Sequence, residues 1–161
     1  MGRGRTDSTG ARRSGASPKS DPTHLRRLVC FVASALDVRF AFVAGLSAPR
    51  PGETTGSVAV WLARDYGLRF EFGRTHRPEN LGAESRPYEE VLHRLWPAEL
   101  ELVRLMAAGG PALPIVDSRG QLLGHLAALN AGPAHRFSEA ERLRSLAPLA
   151  ASELERWVAR D

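Results

Sequence analysis

Hydrophobic positions along this chain change their spacing several times, and each change marks an element. Over residues 20–38, SDPTHLRRLVCFVASALDV, Leu25, Leu28, Val29, Val32 and Leu36 recur three or four apart. That spacing predicts a helix, with Asp21 able to cap it and Pro22 suited to its first position. Phe31 and Ala35 widen the stripe enough to face both a sheet and a partner helix. The period then drops to two. In VRFAFVAGL, Val38, Phe40, Phe42, Ala44 and Leu46 fall on one side and Ala41 and Val43 on the other, as expected for a strand covered on both faces. A loop with two prolines and two glycines, SAPRPGETTG, leads to SVAVWLAR, a second strand around Trp61. After a turn at Asp65-Tyr66-Gly67, Leu68, Phe70 and Phe72 share a face opposite Arg69 and Glu71. This third strand is half polar, so it is expected toward the sheet edge.

From Gly73 to Arg86 the periodicity is lost. PYEEVLHRL then predicts a short helix begun by Pro87, and PAELELVRLMAA another begun by Pro97 and ended by Gly109-Gly110-Pro111. The stretch LPIVDSRGQLLGHLAALN reads as a hairpin, Leu113 to Val116 and Gln121 to Asn130, turning at Asp117-Ser118-Arg119-Gly120. Strict alternation puts Leu123, His125, Ala127 and Leu129 on one face and Leu122, Gly124, Leu126 and Ala128 on the other. Ser138 and Glu141 form a capping box for a long final helix. Its apolar face is expected to be Leu143, Leu146, Leu149, Ala150, Leu154, Trp157 and Val158, with a kink at Pro148. This order of elements implies an α+β fold, an antiparallel sheet with the two end helices on one face.

Composition narrows the function classes. The 161 residues suit one domain, here residues 21–161, preceded by an Arg-rich tail over 1–20 that has no apolar run and is expected to be disordered. Those first 20 residues carry five basic groups against one acidic, which accounts for the whole net charge of +4 and leaves the remainder neutral. Neither a nucleic-acid nor a membrane partner is therefore expected. No secretory signal or membrane span is present, and a cytoplasmic location is expected. Met1-Gly2 with Thr6 fits a myristoylation pattern, but Lys19 is the only lysine, an arginine bias that suggests a bacterial genome where that modification is not expected. Cys30 alone excludes an internal disulfide and a thiolate metal cluster within one chain. The five histidines show no metal-ligand spacing, and no nucleophile elbow, phosphate loop or dinucleotide fingerprint occurs, so neither a catalytic residue nor a metal is assigned. No enzyme activity is expected. His125, among Leu and Ala, reads as a hydrogen-bonded core imidazole in preference to a haem or metal ligand.

The hairpin segment LPIVDSRGQLLGHLAALN resembles the last hairpin of GAF domains in bacterial sensor kinases, with its Pro-bearing strand, Asp-x-x-Gly turn and Leu-Gly-His-Leu-Ala strand. RPYEEVLHRL, residues 86–95, resembles the pocket helix of the same group, in which the position of Tyr88 is often cysteine. The resemblance extends over residues 22–159. It implies a GAF-like, PAS-related antiparallel sheet of five or six strands, end helices on one face and often paired between subunits, and a ligand cavity under the short helices on the other. Carried onto this chain, the pocket would involve Trp61, Phe70, Phe72, Tyr88, Leu92, His93, Trp96 and His125. A homodimer would use Leu25, Leu28, Val32, Leu146, Leu154 and Trp157. The chain departs from the family in three ways: it has no output segment, no match to the cyclic-nucleotide residue set, and no thiol at Tyr88.

Two functions follow from the resemblance. The first is a cytoplasmic sensory module that binds an unidentified small molecule or relays a signal through a helix-mediated dimer. The second is a degenerate GAF domain acting only as an interaction partner of a separate kinase or regulator. A haem or redox protein ranks third. No cofactor is identified.

Overall fold

The computed structural model describes residues 23–78, 88–107, 112–129 and 136–160, the last from its backbone alone over 136–139 and at 160. The expectations for the tail, for Asp21, Pro22, Pro87 and Gly109-Gly110-Pro111 as helix boundaries, and for the Ser138 capping box lie outside the described residues. Helix α1 is Thr23–Leu36; strands β1, Phe40–Ser47, β2, Ser57–Arg64, and β3, Arg69–His76, follow. Helices α2, Tyr88–Leu95, and α3, Leu100–Ala107, precede β4, Ala112–Val116, β5, Leu122–Leu129, and α4, Arg136–Arg160. The five strands form one antiparallel sheet in the order β3-β2-β1-β5-β4.

β1 lies in the middle, bonded to β2 through Val43↔Trp61 and to β5 through Val43↔Leu126, and nearly all of it is buried. Alternation therefore sends its side chains into two cores. Ala41 and Val43 join Ala59, Trp61, Leu126 and Ala128 beneath α1 and α4, where Val29, Val32, Leu143, Leu154 and Trp157 cover them. Phe40, Phe42, Ala44 and Leu46 join Val58, Val60, Leu62, Ala127 and Leu129 beneath Val91, Leu92, Leu102 and Met106 of α2 and α3. Val38, expected on the second of these faces, belongs to the first core, because it precedes the strand and the period of two does not reach it.

Other expectations need revision. β3 does not stop at Phe72 but continues through Gly73 to His76, because β2 offers Val58 and Ser57 as partners for Thr75 and His76. Pro97 lies in the turn between α2 and α3 and does not open a helix; Glu99 N–H there donates to the Trp96 carbonyl. In the β4–β5 hairpin Gly120 takes φ +81°, and Asp117 Oδ1 accepts from the N–H groups of Arg119 and Gln121. Ile115 pairs with Gly124 but Val116 with Leu122, so Leu123 is an extra residue. The bulge reverses the expected facing of the first two β5 residues: Leu122 packs in the α2/α3 core and Leu123 in the α1/α4 core. Along α4, Leu149 and Val158 point outward, as does Phe31 on α1. The α4 core face is narrower than expected: Leu143, Ala150, Leu154 and Trp157, with Leu146 at its edge. Pro148 lies inside the helix, which continues on both sides of it.

Trp157 is the largest side chain that the helices press onto the sheet, and Gly45 makes room for it, while Gly124 lets β5 approach the β1 backbone. Gly45 and Gly124 pair with each other across β1 and β5. A Cβ on Gly45 would lie 2.6 Å from Trp157 Cζ3 and 3.1 Å from Leu154 Cδ2, and one on Gly124 would lie 1.8 Å from the Ala44 carbonyl oxygen. The indole rests edge-on against Trp61, ring centroids 5.2 Å apart. The core here cannot give way cheaply, since both indoles are buried. Gly45→Ala is therefore expected to cost about 1–3 kcal/mol by overpacking, read as a lower urea midpoint with tryptophan fluorescence as the probe. An unchanged midpoint would mean that Trp157 does not depend on the glycine seat.

Candidate functional site

The sheet separates the residues expected to share a pocket. Trp61, Phe70 and Phe72 lie on the α1/α4 side: Trp61 is wholly buried there, Phe70 packs at its margin, and the Phe72 ring sits 5.2 Å from Trp61. Tyr88, Leu92, Trp96 and His125 lie on the α2/α3 side. His93 faces solvent on α2, where Glu90 and Arg94 form an i,i+4 ion pair at 2.5 Å. Aromatic residues close in sequence need not share a side, because a strand shows alternate residues to opposite faces.

On the α2/α3 side the arrangement converges on one polar contact. Tyr88 opens α2 and His125 sits mid-β5, both fully buried, with Tyr88 Oη 2.8 Å from His125 Nδ1. Their rings meet edge-on at 4.9 Å, and Phe42 of β1 lies 5.3 Å from Tyr88 on another side. Burial pushes the Tyr88 phenol well above its ordinary range, against the smaller opposing pull of Arg77. The group therefore stays a neutral phenol, able either to donate to Nδ1 or to accept from Nδ1–H. The sequence carried the signal for this pair, a histidine in an apolar strand and a tyrosine at a helix start. It could not show that each is the other's partner.

At one end of the same layer, Arg64 of β2 bonds Glu71 of β3 through Nη1 and Glu99 before α3 through Nη2. Burial alone would lower its pKa, but the hydrogen bond to Glu71 and the surrounding carboxylates outweigh that and hold it raised. Arg64 thus ties the helical layer to the sheet as a fixed cation. Sequence reasoning missed it, since neither carboxylate stands at a helical spacing from it.

Five of the six residues expected to pair two subunits, Leu25, Leu28, Val32, Leu154 and Trp157, are buried in the chain's own core, and Leu146 is half-buried. They cannot form an outer surface, because the sheet already uses them. Cys30 is half-buried, its thiol pushed up by burial against the pull of Arg26. Among the described residues, no three His, Cys, Asp or Glu side chains are grouped to hold a metal, and no helix is long and apolar enough to cross a membrane. Two surface hollows lie away from the Tyr88 layer. One of about 540 Å³ is bounded by the 116–118 turn and Pro148, Ser152 and Arg156, and one of about 300 Å³ by Leu46–Pro51 and Val158. Comparison of the chain with family models, with curated proteins and with solved structures found no match.

The Tyr88 environment sets a pH dependence. An unfolded tyrosine ionises near 10.0, whereas the native phenol holds its proton to higher pH. Above that value the unfolded chain binds fewer protons than the native one, so stability falls as pH rises, by up to about 1.4 kcal/mol per pH unit. Tyr88→Phe should lose about 1–3 kcal/mol at neutral pH through the broken bond, and should show a shallower decline above pH 10 than the parent, measured by urea unfolding across pH 8–11.

Proposed function

We propose that this chain is a GAF-type regulatory module whose interior has been filled by its own side chains, and that it acts by contact with a separate signalling protein, such as a kinase or its regulator. The reading draws on the resemblance of the 113–130 hairpin and the 86–95 helix, and on the layer order, end helices on one face and short helices on the other. One observation carries it. Phe42, Tyr88, Leu92, Leu102 and His125 are all fully buried where the resemblance implies a ligand, and Tyr88 Oη is bonded to His125 Nδ1. A ligand entering there would have to displace well-packed aromatic rings and break a buried hydrogen bond.

A second reading, a ligand-sensing module, is favoured by the same polar pair, since an apolar layer with a few convergent polar groups is how small ligands are held. In either reading, self-association through α1 and α4 would rest on Phe31, Leu149 and Val158, the large apolar residues these helices leave exposed.

Thermal unfolding in the presence of amino acids, mononucleotides, cyclic nucleotides and haem separates the two. A ligand at 100 times its Kd adds about 2.7 kcal/mol to stability. The interaction-module reading expects no shift in Tm with any of them, and no Soret band after haem addition. A shift that disappears in Tyr88→Phe but survives Phe72→Ala would overturn it in favour of the sensor.

A further inference from the structure

Net charge per segment hides where the cations lie, and β3 is where this matters. Its residues on the α1/α4 side are Phe70, Phe72, Arg74 and His76, while its one acidic residue, Glu71, faces the other side and is held by Arg64. Just before β3 comes Leu68, and at the turn Tyr66. α1, which flanks this edge, contains His24, Arg26 and Arg27 and no acidic residue. β3 pairs with β2 on one side only and is the last strand in the sheet order, so this row lies at the sheet's margin.

The row interleaves rings and guanidinium groups. Arg26 Cζ stands 5.1 Å over the Phe70 ring, and Arg74 Cζ 5.6 Å over Trp157. Between them Phe72 is 46% exposed, an unusual state for phenylalanine, with its inner side fixed against Trp61. A ring held from behind is a ready platform, and stacking on it orders nothing further. Stacking of Arg26 on Phe70 engages the face of the guanidinium, whereas phosphate is met by its N–H edge.

We propose that the margin formed by β3 and α1 is a binding surface for single-stranded nucleic acid, with a base stacked on Phe72 and phosphates met by Arg26 and Arg74. This inference is independent of the regulatory reading above and does not use the Tyr88 layer. Aromatic platforms beside cations bind single strands with little sequence preference, because every base offers a flat face. The neutral net charge of the folded part is not in conflict, since carboxylates such as Glu71, Glu99 and Glu101 are engaged with arginines at the α2/α3 side.

The test is fluorescence anisotropy of fluorescein-labelled oligo(dT) and oligo(U), about 15 nucleotides long, titrated with the full chain at several salt concentrations. Binding on the order of 1–100 µM is expected near physiological salt, weakening as salt rises. Phe72→Ala should weaken it roughly 5- to 150-fold, and Phe72→Leu, which keeps apolar packing on Trp61, should weaken it as well, while Phe72→Tyr should retain it. Arg26→Ala and Arg74→Ala should each reduce the slope of log affinity against log salt by roughly 0.7. The proposal fails if neither oligonucleotide binds. It fails equally if the Phe72, Arg26 and Arg74 variants bind as the parent does, which would assign binding to residues 1–20 alone. Binding to phosphatidylserine–phosphatidylcholine vesicles with none to oligonucleotides would also overturn it.

Discussion

The constraint behind this architecture is the position of β1. It is hydrogen-bonded on both edges and buried on both faces, so it needs a neighbour on all four sides. Two strands supply the edges and two separate helical layers supply the faces. Helices α1 and α4 meet on one of those faces, where the Arg142 guanidinium of α4 donates to the Ala35 carbonyl of α1. The middle of the chain covers the other. Each layer buries roughly one strand face per strand, and neither could be removed without exposing a row of fully apolar residues to water.

The two layers are held by different means. Under α1 and α4 the contact is shape: an indole seated over Gly45, with no room there for a single added carbon. Under α2 and α3 the contact is partly polar, a phenol and an imidazole inside an apolar shell, with an arginine fastening the rim. Packing tolerates no partner that is the wrong size, whereas a buried hydrogen bond tolerates no partner that is missing. The proposed surface at β3 belongs to the first layer, since Phe72 leans on the same Trp61 that supports Trp157.

Much of this could be read along the chain. The spans of β1, β2, the hairpin and α2 follow from local spacing, because each has a full period of apolar positions and a turn at its end. What could not be read needed a partner. Residues 73–76 are polar, and only the length of β2 beside them makes them a strand. Phe31, Leu149 and Val158 have the right spacing for a core face, but the helices roll so that Leu28, Ala150 and Trp157 fill the available depth. The candidate pocket mixed residues from both sides of the sheet, since being aromatic says nothing about which face a side chain takes. For Tyr88 and His125 the residue types were informative, but their 2.8 Å contact joins positions 37 residues apart.

The extra residue at Leu123 has an effect beyond its own packing. On the turn side of it β5 alternates in one phase, and beyond it in the other, with each part sending side chains to both cores. In an unbroken alternating strand, a slip by one residue moves every side chain together to the other face. Here a slip would in addition carry the extra residue away from the Ile115–Val116 step that accommodates it. The irregularity therefore works as a key, fixing which residue of β4 meets which residue of β5, and with it the position of His125 opposite Pro114.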